Sequence, residues 1–229
     1  MARKEGLKAG DVVELTVSGK TVKAPVLVQP GLHDEVMGLA VGYGQKHAGK
    51  VADGLGVDAY QLSSFATGKP VFSGLKASFK KTSGRYELAS TQDHHLMEGR
   101  KIVIEATNSA YQKDPSAGIH KHQIFTIWPQ HQYTKHKWAM AVDLNSCTGC
   151  SACVIACQSE NNVPTVGKKY VMQGREMHWI RIDRYYKGSP EAPEAVFMPM
   201  MCQHCENAPC ETVCPVLATV HSDEGLNDM

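Results

Sequence analysis

Alternating apolar and polar positions predict a β-hairpin near the start of the chain. Apolar side chains recur at every second position over Val13–Val17 and again over Val22–Val28, a period that places one face of each strand on a core. Ser18-Gly19-Lys20 lies between them as a plausible hairpin turn. Pro25 predicts an edge strand or a bulge, because proline has no N–H to donate to a neighbouring strand.

Further strands follow in the same region. Met37–Tyr43 is typical of a buried strand, and a Gly-rich loop follows from Gly44 to Gly56. Leu75–Lys81 and Tyr86–Thr91 predict a second hairpin, with its turn at Ser83-Gly84. We therefore predict that residues 1–92 form a small β-barrel domain.

Residues 93–137 predict an extended connector. This stretch is polar, and Pro115 and Pro129 disfavour long helices in it. It holds six of the eleven histidines, but their spacing gives no i, i+4 pair with a third ligand, so we interpret them as surface or connector residues. These six are His94, His95, His120, His122, His131 and His136.

Residues 138–229 mix short strands with a helix. Met140–Leu144 and His178–Tyr185 alternate like strands, whereas Val154–Gln158 begins a short helix. Ala218–His221 and Leu226–Met229 predict a last hairpin around Ser222–Gly225. The whole chain is thus assigned to the α+β class.

Charge also divides the chain into two regions. The net charge is +1, which does not favour a nucleic-acid partner. Residues 141–229 nevertheless carry −5 and residues 1–140 carry +6. No apolar run reaches the roughly 18 residues of a membrane-spanning helix, so we expect no span and no export signal of its own.

Eight cysteines form two tight runs in the second region. The first run has the spacing C-x2-C-x2-C-x3-C and the second C-x2-C-x4-C-x3-C, with Pro215 directly after it. A [4Fe–4S] cluster needs four thiolates, and in two-cluster ferredoxins the fourth cysteine of such a run ligates the other cluster. The predicted cluster ligands are Cys147, Cys150, Cys153, Cys157, Cys202, Cys205, Cys210 and Cys214.

Three other cysteine chemistries fit less well. Structural zinc uses two C-x2-C pairs across a longer spacer, whereas each run here already holds four thiols. A disulfide framework is typical of small domains that lack a core. A thioredoxin-type pair would leave six cysteines unexplained.

Trp179 and His204 lie near the cysteines in sequence. Either residue could shield a cluster from water or donate a hydrogen bond to sulfur, or it could simply pack in the core or lie on the surface.

The segments around both runs resemble particular families of iron–sulfur subunits. WAMAVDLNSCTGCSAC (138–153) resembles the first cysteine run of the four-cluster iron–sulfur subunits of molybdopterin-type oxidoreductase complexes. ENNVP (160–164), GREMHWIRIDRY (174–185) and CQHCENAPC (202–210) are similar to the large iron–sulfur subunit of bacterial alternative complex III, a quinol:electron-acceptor oxidoreductase. GLKAGDVV (6–13) resembles the C-terminal β-barrel of the molybdopterin-like part of that subunit.

This resemblance implies electron transfer from a quinol-oxidising integral membrane subunit toward a cytochrome c-type subunit. It implies [4Fe–4S] clusters in a ferredoxin-like domain, a [3Fe–4S] cluster somewhere in the full subunit, and no molybdopterin. It also implies a peripheral location on the periplasmic face of the bacterial inner membrane. No residue is predicted to be catalytic.

Family members carry four cysteine runs, so the resemblance implies that this chain is an internal piece whose last hairpin leads to a third run. The rest of its own subunit would then be a partner and would supply missing ligands. If the chain is complete, each cluster takes ligands from both runs. Cys147, Cys150 and Cys153 then ligate one cluster together with Cys214, and Cys202, Cys205 and Cys210 ligate the other together with Cys157.

Two alternatives to electron transfer remain open. The first is the cofactor-binding part of a molybdopterin-dependent oxidoreductase, although no molybdenum ligand can be placed. The second is a non-redox zinc-binding interaction module.

Overall fold

The computed structural model divides into two compact units. It describes residues 1–50, 52–120, 123, 125–129, 131–134 and 136–228. The N-terminal unit comprises residues 1–94, 165–176 and 186–195. The cysteine unit comprises residues 95–164, 177–185 and 196–229. The predicted domains 1–92, 93–137 and 138–229 stay a prediction, since both units are built from separate stretches of chain.

A three-stranded antiparallel sheet forms the core of the N-terminal unit. Its strands are β1 (Asp11–Val17), β2 (Lys20–Pro25) and β5 (Ala77–Arg85), in the order β2-β1-β5. This confirms the first hairpin, with Pro25 ending an edge strand. The apolar face of the hairpin packs as predicted, because alternate side chains point to one side. The buried cluster is Leu15, Val17, Val22 and Leu62.

The hairpin predicted at Ser83-Gly84 is wrong. A single strand, β5, runs through both residues and pairs with β1. The register shifts between Asp11 and Val13, so the extra residues of β5 bulge out instead of turning the chain. Thr82 holds the bulge: its Oγ1 donates to the Val12 carbonyl at 2.8 Å and accepts from the Gly84 N–H at 3.1 Å.

The strand predicted over Met37–Tyr43 is also wrong. These residues have no strand structure, and the exposed fraction reaches 62% at Tyr43. Gly38 and Gly42 interrupt the apolar pattern, which leaves little side chain to pack and raises the entropy cost of an extended segment. The Gly-rich stretch that follows is a loop, as predicted, and the Gly44 N–H donates to the Leu55 carbonyl at 2.9 Å.

Short elements complete the N-terminal unit. They are a 3-10 turn (Ala59–Leu62), β3 (Ser64–Ala66), β4 (Lys69–Val71) and helix α3 (Gly167–Val171). β3 and β4 form a separate two-stranded sheet. No closed barrel is detected among the strands of the described residues, and the barrel stays a prediction.

The described residues of the cysteine unit form three short helices and a terminal hairpin. The helices are α1 (Asn108–Lys113), α2 (Ala152–Glu160) and α4 (Pro209–Val213), and the hairpin strands are β8 (Val220–His221) and β9 (Asn227–Asp228). The predicted helix and hairpin are confirmed, with Met229 outside the described residues. The strand predicted at Met140–Leu144 is wrong, since this segment is irregular and exposed.

Two longer strands, β6 (Ile180–Ser189) and β7 (Ala192–Met201), form a two-stranded sheet. The prediction of a strand at His178–Tyr185 is confirmed, although it begins two residues later. Within the described ranges, every helix is too short or too polar to cross a lipid bilayer.

Candidate iron–sulfur site

The first cysteine run begins at a hydrogen-bonded turn around Asp143. Its carboxylate accepts the Ser146 hydroxyl at 2.8 Å and the Asn145 N–H at 2.9 Å. These bonds, the Ser146 hydroxyl foremost, lower the pKa of Asp143, so its carboxyl stays ionised. The Cys147 N–H donates to the Asp143 carbonyl at 3.0 Å, which fixes where the run starts.

Helix α2 positions the second half of this run. Ser151 caps the helix in the left-handed region (φ 61°), which turns the chain sharply between Cys150 and Cys153. Cys153 and Cys157 lie four residues apart on the helix and therefore share one face. Val154 is buried and anchors the helix in the unit.

Asn161 closes the helix beside Cys157. Its backbone N–H donates to the Cys157 carbonyl at 3.0 Å. Its side-chain Nδ2 also lies 3.0 Å from that carbonyl and 3.6 Å from Cys157 Sγ. Sequence analysis missed Asn161, although its i+4 spacing from Cys157 on a predicted helix was a usable signal.

The second run follows β7 and is braced by the terminal hairpin. The Cys205 carbonyl accepts His221 Nε2 at 2.8 Å and Asn227 Nδ2 at 3.2 Å. His221 Nδ1 lies 2.6 Å from the Glu211 carboxylate. Asn227 is buried, which shields its bond to the carbonyl from competing water, whereas the His221 bond is exposed. His221 and Asn227 are distant from Cys205 in sequence, so the spacing of the cysteines gives no signal for them.

Cys214, the last cysteine of the second run, lies in a cradle of backbone N–H groups. It caps helix α4, and the Ala218 N–H donates to its Sγ at 3.1 Å. The N–H groups of Ala218, Val216, Thr219 and Leu217 lower the pKa of the Cys214 thiol. Hydrogen bonds to the anion favour the thiolate, which is the form that ligates iron.

The donor set fits [4Fe–4S] clusters in number, spacing and chemical state. All eight cysteines are free thiols. Four are exposed (Cys150, Cys153, Cys205 and Cys210) and four are half-buried (Cys147, Cys157, Cys202 and Cys214). In the part of the chain that the structure describes, no three His, Cys, Asp or Glu side chains are gathered as a metal site. The structure thus brings the cysteines into two loops but does not group their sulfur atoms.

The other residues singled out from the sequence contact groups other than sulfur. His204 Nδ1 accepts the Asn227 N–H at 3.0 Å. Trp179 Nε1 is buried with no hydrogen-bond partner among the described residues. Two basic residues that lie between the runs in sequence also have partners: Arg181 pairs with the buried Asp183 at 2.9 Å, and Lys168 lies over the Tyr86 ring. A role of Trp179 or His204 in shielding a cluster or donating a hydrogen bond to sulfur stays a prediction.

The connector histidines take part in local contacts. His95 Nδ1 lies 2.9 Å from the Arg184 carbonyl. The ring of His131 packs edge-on against Tyr133, and that of His136 is tilted against Trp138. His122 lies outside the described residues.

A polar cluster and a cleft lie beside Cys205. Glu206 accepts the Tyr133 hydroxyl at 3.0 Å and Lys137 Nζ at 3.1 Å, and these bonds, with Lys137 foremost, lower the pKa of Glu206. Together with Trp138 and Cys205 they line a cleft of about 280 Å³. Cys205 is exposed and lies in the lining of this cleft.

The cysteine region is similar to known iron–sulfur proteins. Residues 146–218 match the 4Fe-4S dicluster domain family. The chain is 37% identical over 95 residues to the iron–sulfur cluster-binding subunit of a menaquinone reductase from Nitratidesulfovibrio vulgaris, covering 40% of this chain and 36% of that one. It is 33% identical over 146 residues to iron–sulfur subunit 1 of an Hdr-like menaquinol oxidoreductase from Archaeoglobus fulgidus, covering 57% and 53%.

A third relative is the electron transfer subunit of a thiosulfate reductase from Salmonella typhi, 33% identical over 91 residues and covering 40% of this chain and 43% of that one. The chain therefore spans about a third to a half of the length of these relatives.

The cysteine region is thus a 4Fe-4S dicluster ferredoxin domain, homologous to the iron–sulfur subunits of multi-subunit reductases. Its cofactors are [4Fe–4S] clusters, and electron transfer is the general function that its relatives support. This agrees with the chemistry predicted from the two cysteine runs.

Proposed function

We propose that this chain is the electron-transfer part of a membrane-bound quinol:electron-acceptor oxidoreductase of the alternative complex III type. Oxidation of a quinol at an integral membrane partner releases two protons and two electrons. The electrons pass through this subunit toward a cytochrome c-type partner. The observation that carries the proposal is the pair of four-cysteine runs within the 4Fe-4S dicluster domain.

The eight cysteines named above are the proposed ligands. When bound, [4Fe–4S] clusters supply one-electron transfer at potentials set by the surrounding protein. The chain contributes thiolates, as at Cys214, where backbone N–H groups stabilise the anion. The Asp143 turn stabilises the first run, and the hydrogen bond from His221 to the Cys205 carbonyl stabilises the second.

Two observations favour a quinone or quinol partner. Two of the relatives bear names that contain menaquinone or menaquinol. The segments ENNVP and GREMHWIRIDRY also resemble the alternative complex III subunit. The same resemblance leads us to propose the periplasmic face of the membrane as the location. From the resemblance of GLKAGDVV (6–13) we propose that residues 1–92 form a barrel of the molybdopterin-oxidoreductase type.

The test uses the intact membrane complex. A reduced menaquinone analogue is added anaerobically, and cluster reduction is followed by electron paramagnetic resonance while cytochrome c reduction is followed optically. The proposal expects the quinol to reduce the clusters, and the Cys150→Ala complex to pass fewer electrons to the cytochrome than the Thr148→Ala control does.

Three results would overturn this assignment. The first is clusters that quinol does not reduce. The second is electron flow to the cytochrome that is unchanged by Cys150→Ala. The third is stoichiometric molybdenum in the complex, which would instead support a molybdopterin enzyme.

A further inference from the structure

The fourth cysteine of each run receives a hydrogen bond, but from different kinds of donor. Cys214 is served by the Ala218 backbone N–H at 3.1 Å. Cys157 is served by the Asn161 side chain, whose Nδ2 lies 3.6 Å from Sγ. A backbone donor is present whatever the side chain, whereas the donor to Cys157 depends on one residue type.

The geometry at Asn161 requires an amide nitrogen. The Cys157 carbonyl oxygen and thiolate are both acceptors, so the group facing them must donate twice. The carboxamide Nδ2 carries two N–H groups. One N–H serves the carbonyl at 3.0 Å and the other faces the sulfur. An aspartate of the same size would present only acceptors when ionised.

We propose that Asn161 is a positioning residue that raises the reduction potential of the cluster ligated by Cys157. Reduction adds one negative charge, which spreads onto the ligand sulfurs. A donor to sulfur stabilises the more negative state more strongly, so it favours reduction. The inference rests on the ligation by Cys157 proposed above.

The position of Asn161 supports a tuning role. Its backbone N–H is fixed to the last turn of α2, so the side chain starts from a defined place beside the sulfur. Asn161 is exposed, which weakens the bond relative to a buried one but leaves the side chain replaceable without opening a cavity.

The experiment compares full-length variants reconstituted anaerobically with iron and sulfide. Iron content is measured first, and midpoint potentials are then read by potentiometric titration with electron paramagnetic resonance. In Asn161→Leu one midpoint should move to lower potential by about a tenfold change in the reduction equilibrium, roughly 59 mV for one electron. The other midpoint should stay in place.

Matched variants separate the hydrogen bond from the helix end. Asn161→Gln keeps the amide donor and should recover part of the shift, whereas Asn161→Asp should lower the potential at least as far as leucine does. Ser159→Ala, on an exposed position of the same helix, should change neither midpoint.

Outcomes for the two proposals are distinguishable. Wild-type iron content with unchanged midpoints in both Asn161→Leu and Asn161→Asp would overturn the tuning role and leave electron transfer intact. Loss of iron from both variants would also overturn it, because Asn161 would then be needed for assembly. Full iron retention in Cys157→Ala would instead contradict the proposed ligation.

Discussion

The two cysteine runs have nearly the same spacing but are supported in different ways. The first run is built locally: the Asp143 turn precedes it, the nine-residue helix α2 carries Cys153 and Cys157, and Asn161 ends it. The second run sits around the five-residue helix α4 and depends on His221 and Asn227, which come from the terminal hairpin.

This difference shows which features of the site depend on the spacing of the cysteines and which depend on contacts that form when the chain folds. In both runs, the spacing of the cysteines places four thiols on one short segment of the chain. Donors to sulfur and braces to backbone carbonyls come from residues outside the spacing pattern. We therefore expect the first run to respond mainly to nearby substitutions and the second run to damage in the terminal hairpin.

Removing a cysteine should have the largest effect and should act on both runs alike. Cys150→Ala and Cys205→Ala each remove one thiolate, and no neighbouring group can replace it with similar affinity for iron. Each variant should lose the iron of one cluster, measured by iron and sulfide analysis after anaerobic reconstitution. Thr148→Ala is the control, and an unchanged iron content in either cysteine variant would contradict equal roles for the two runs.

A substitution in the hairpin should separate the runs. Asn227→Leu removes the N–H donor to the Cys205 carbonyl in a buried setting, where such a loss costs about 1–3 kcal/mol. The variant should unfold at a lower temperature and release iron faster from the second run only. Thermal unfolding and timed chelation of iron measure the two effects.

The exposed neighbour Asp228→Asn provides the matched control for Asn227→Leu. If both runs released iron equally fast in Asn227→Leu, the proposed division between local and hairpin support would be wrong.

Acidification should weaken a third region, the β1–β5 bulge. Asp11 is buried at the β1–β5 bulge, where its hydrogen bond with Lys81 at 2.7 Å, the Lys8 N–H and Arg85 lower its pKa. A lowered folded-state pKa contributes stability above the ordinary value of 3.8, and this is lost as pH falls further.

Hydrogen exchange of the β1 amides measures this loss. Protection should decline below about pH 3.8 in the wild type. Asp11→Asn should exchange faster at neutral pH and lose that acid dependence. If wild type and Asp11→Asn lost protection over the same pH range, the proposed role of Asp11 in the acid dependence would be wrong.

Much of the local structure was predictable because short-range patterns determine it. The β1–β2 hairpin and helix α2 follow from periodicity and a turn. The spacing of the cysteines predicted the 4Fe-4S dicluster domain, while the ligand role of each cysteine stays a prediction. Ser83-Gly84 misled the prediction because the same dipeptide fits a turn or a bulge, and only pairing with β1 decides between them. The Cys205 brace could not be predicted, since it joins residues across the terminal hairpin.

The central claim is that the two runs hold two [4Fe–4S] clusters. Mössbauer spectroscopy of the anaerobically reconstituted chain, with iron and sulfide analysis on the same sample, tests it most directly. The account predicts about eight iron atoms per chain in thiolate-ligated cubane clusters. A preparation that holds zinc and no iron, or whose cysteines are joined as disulfides, would contradict it.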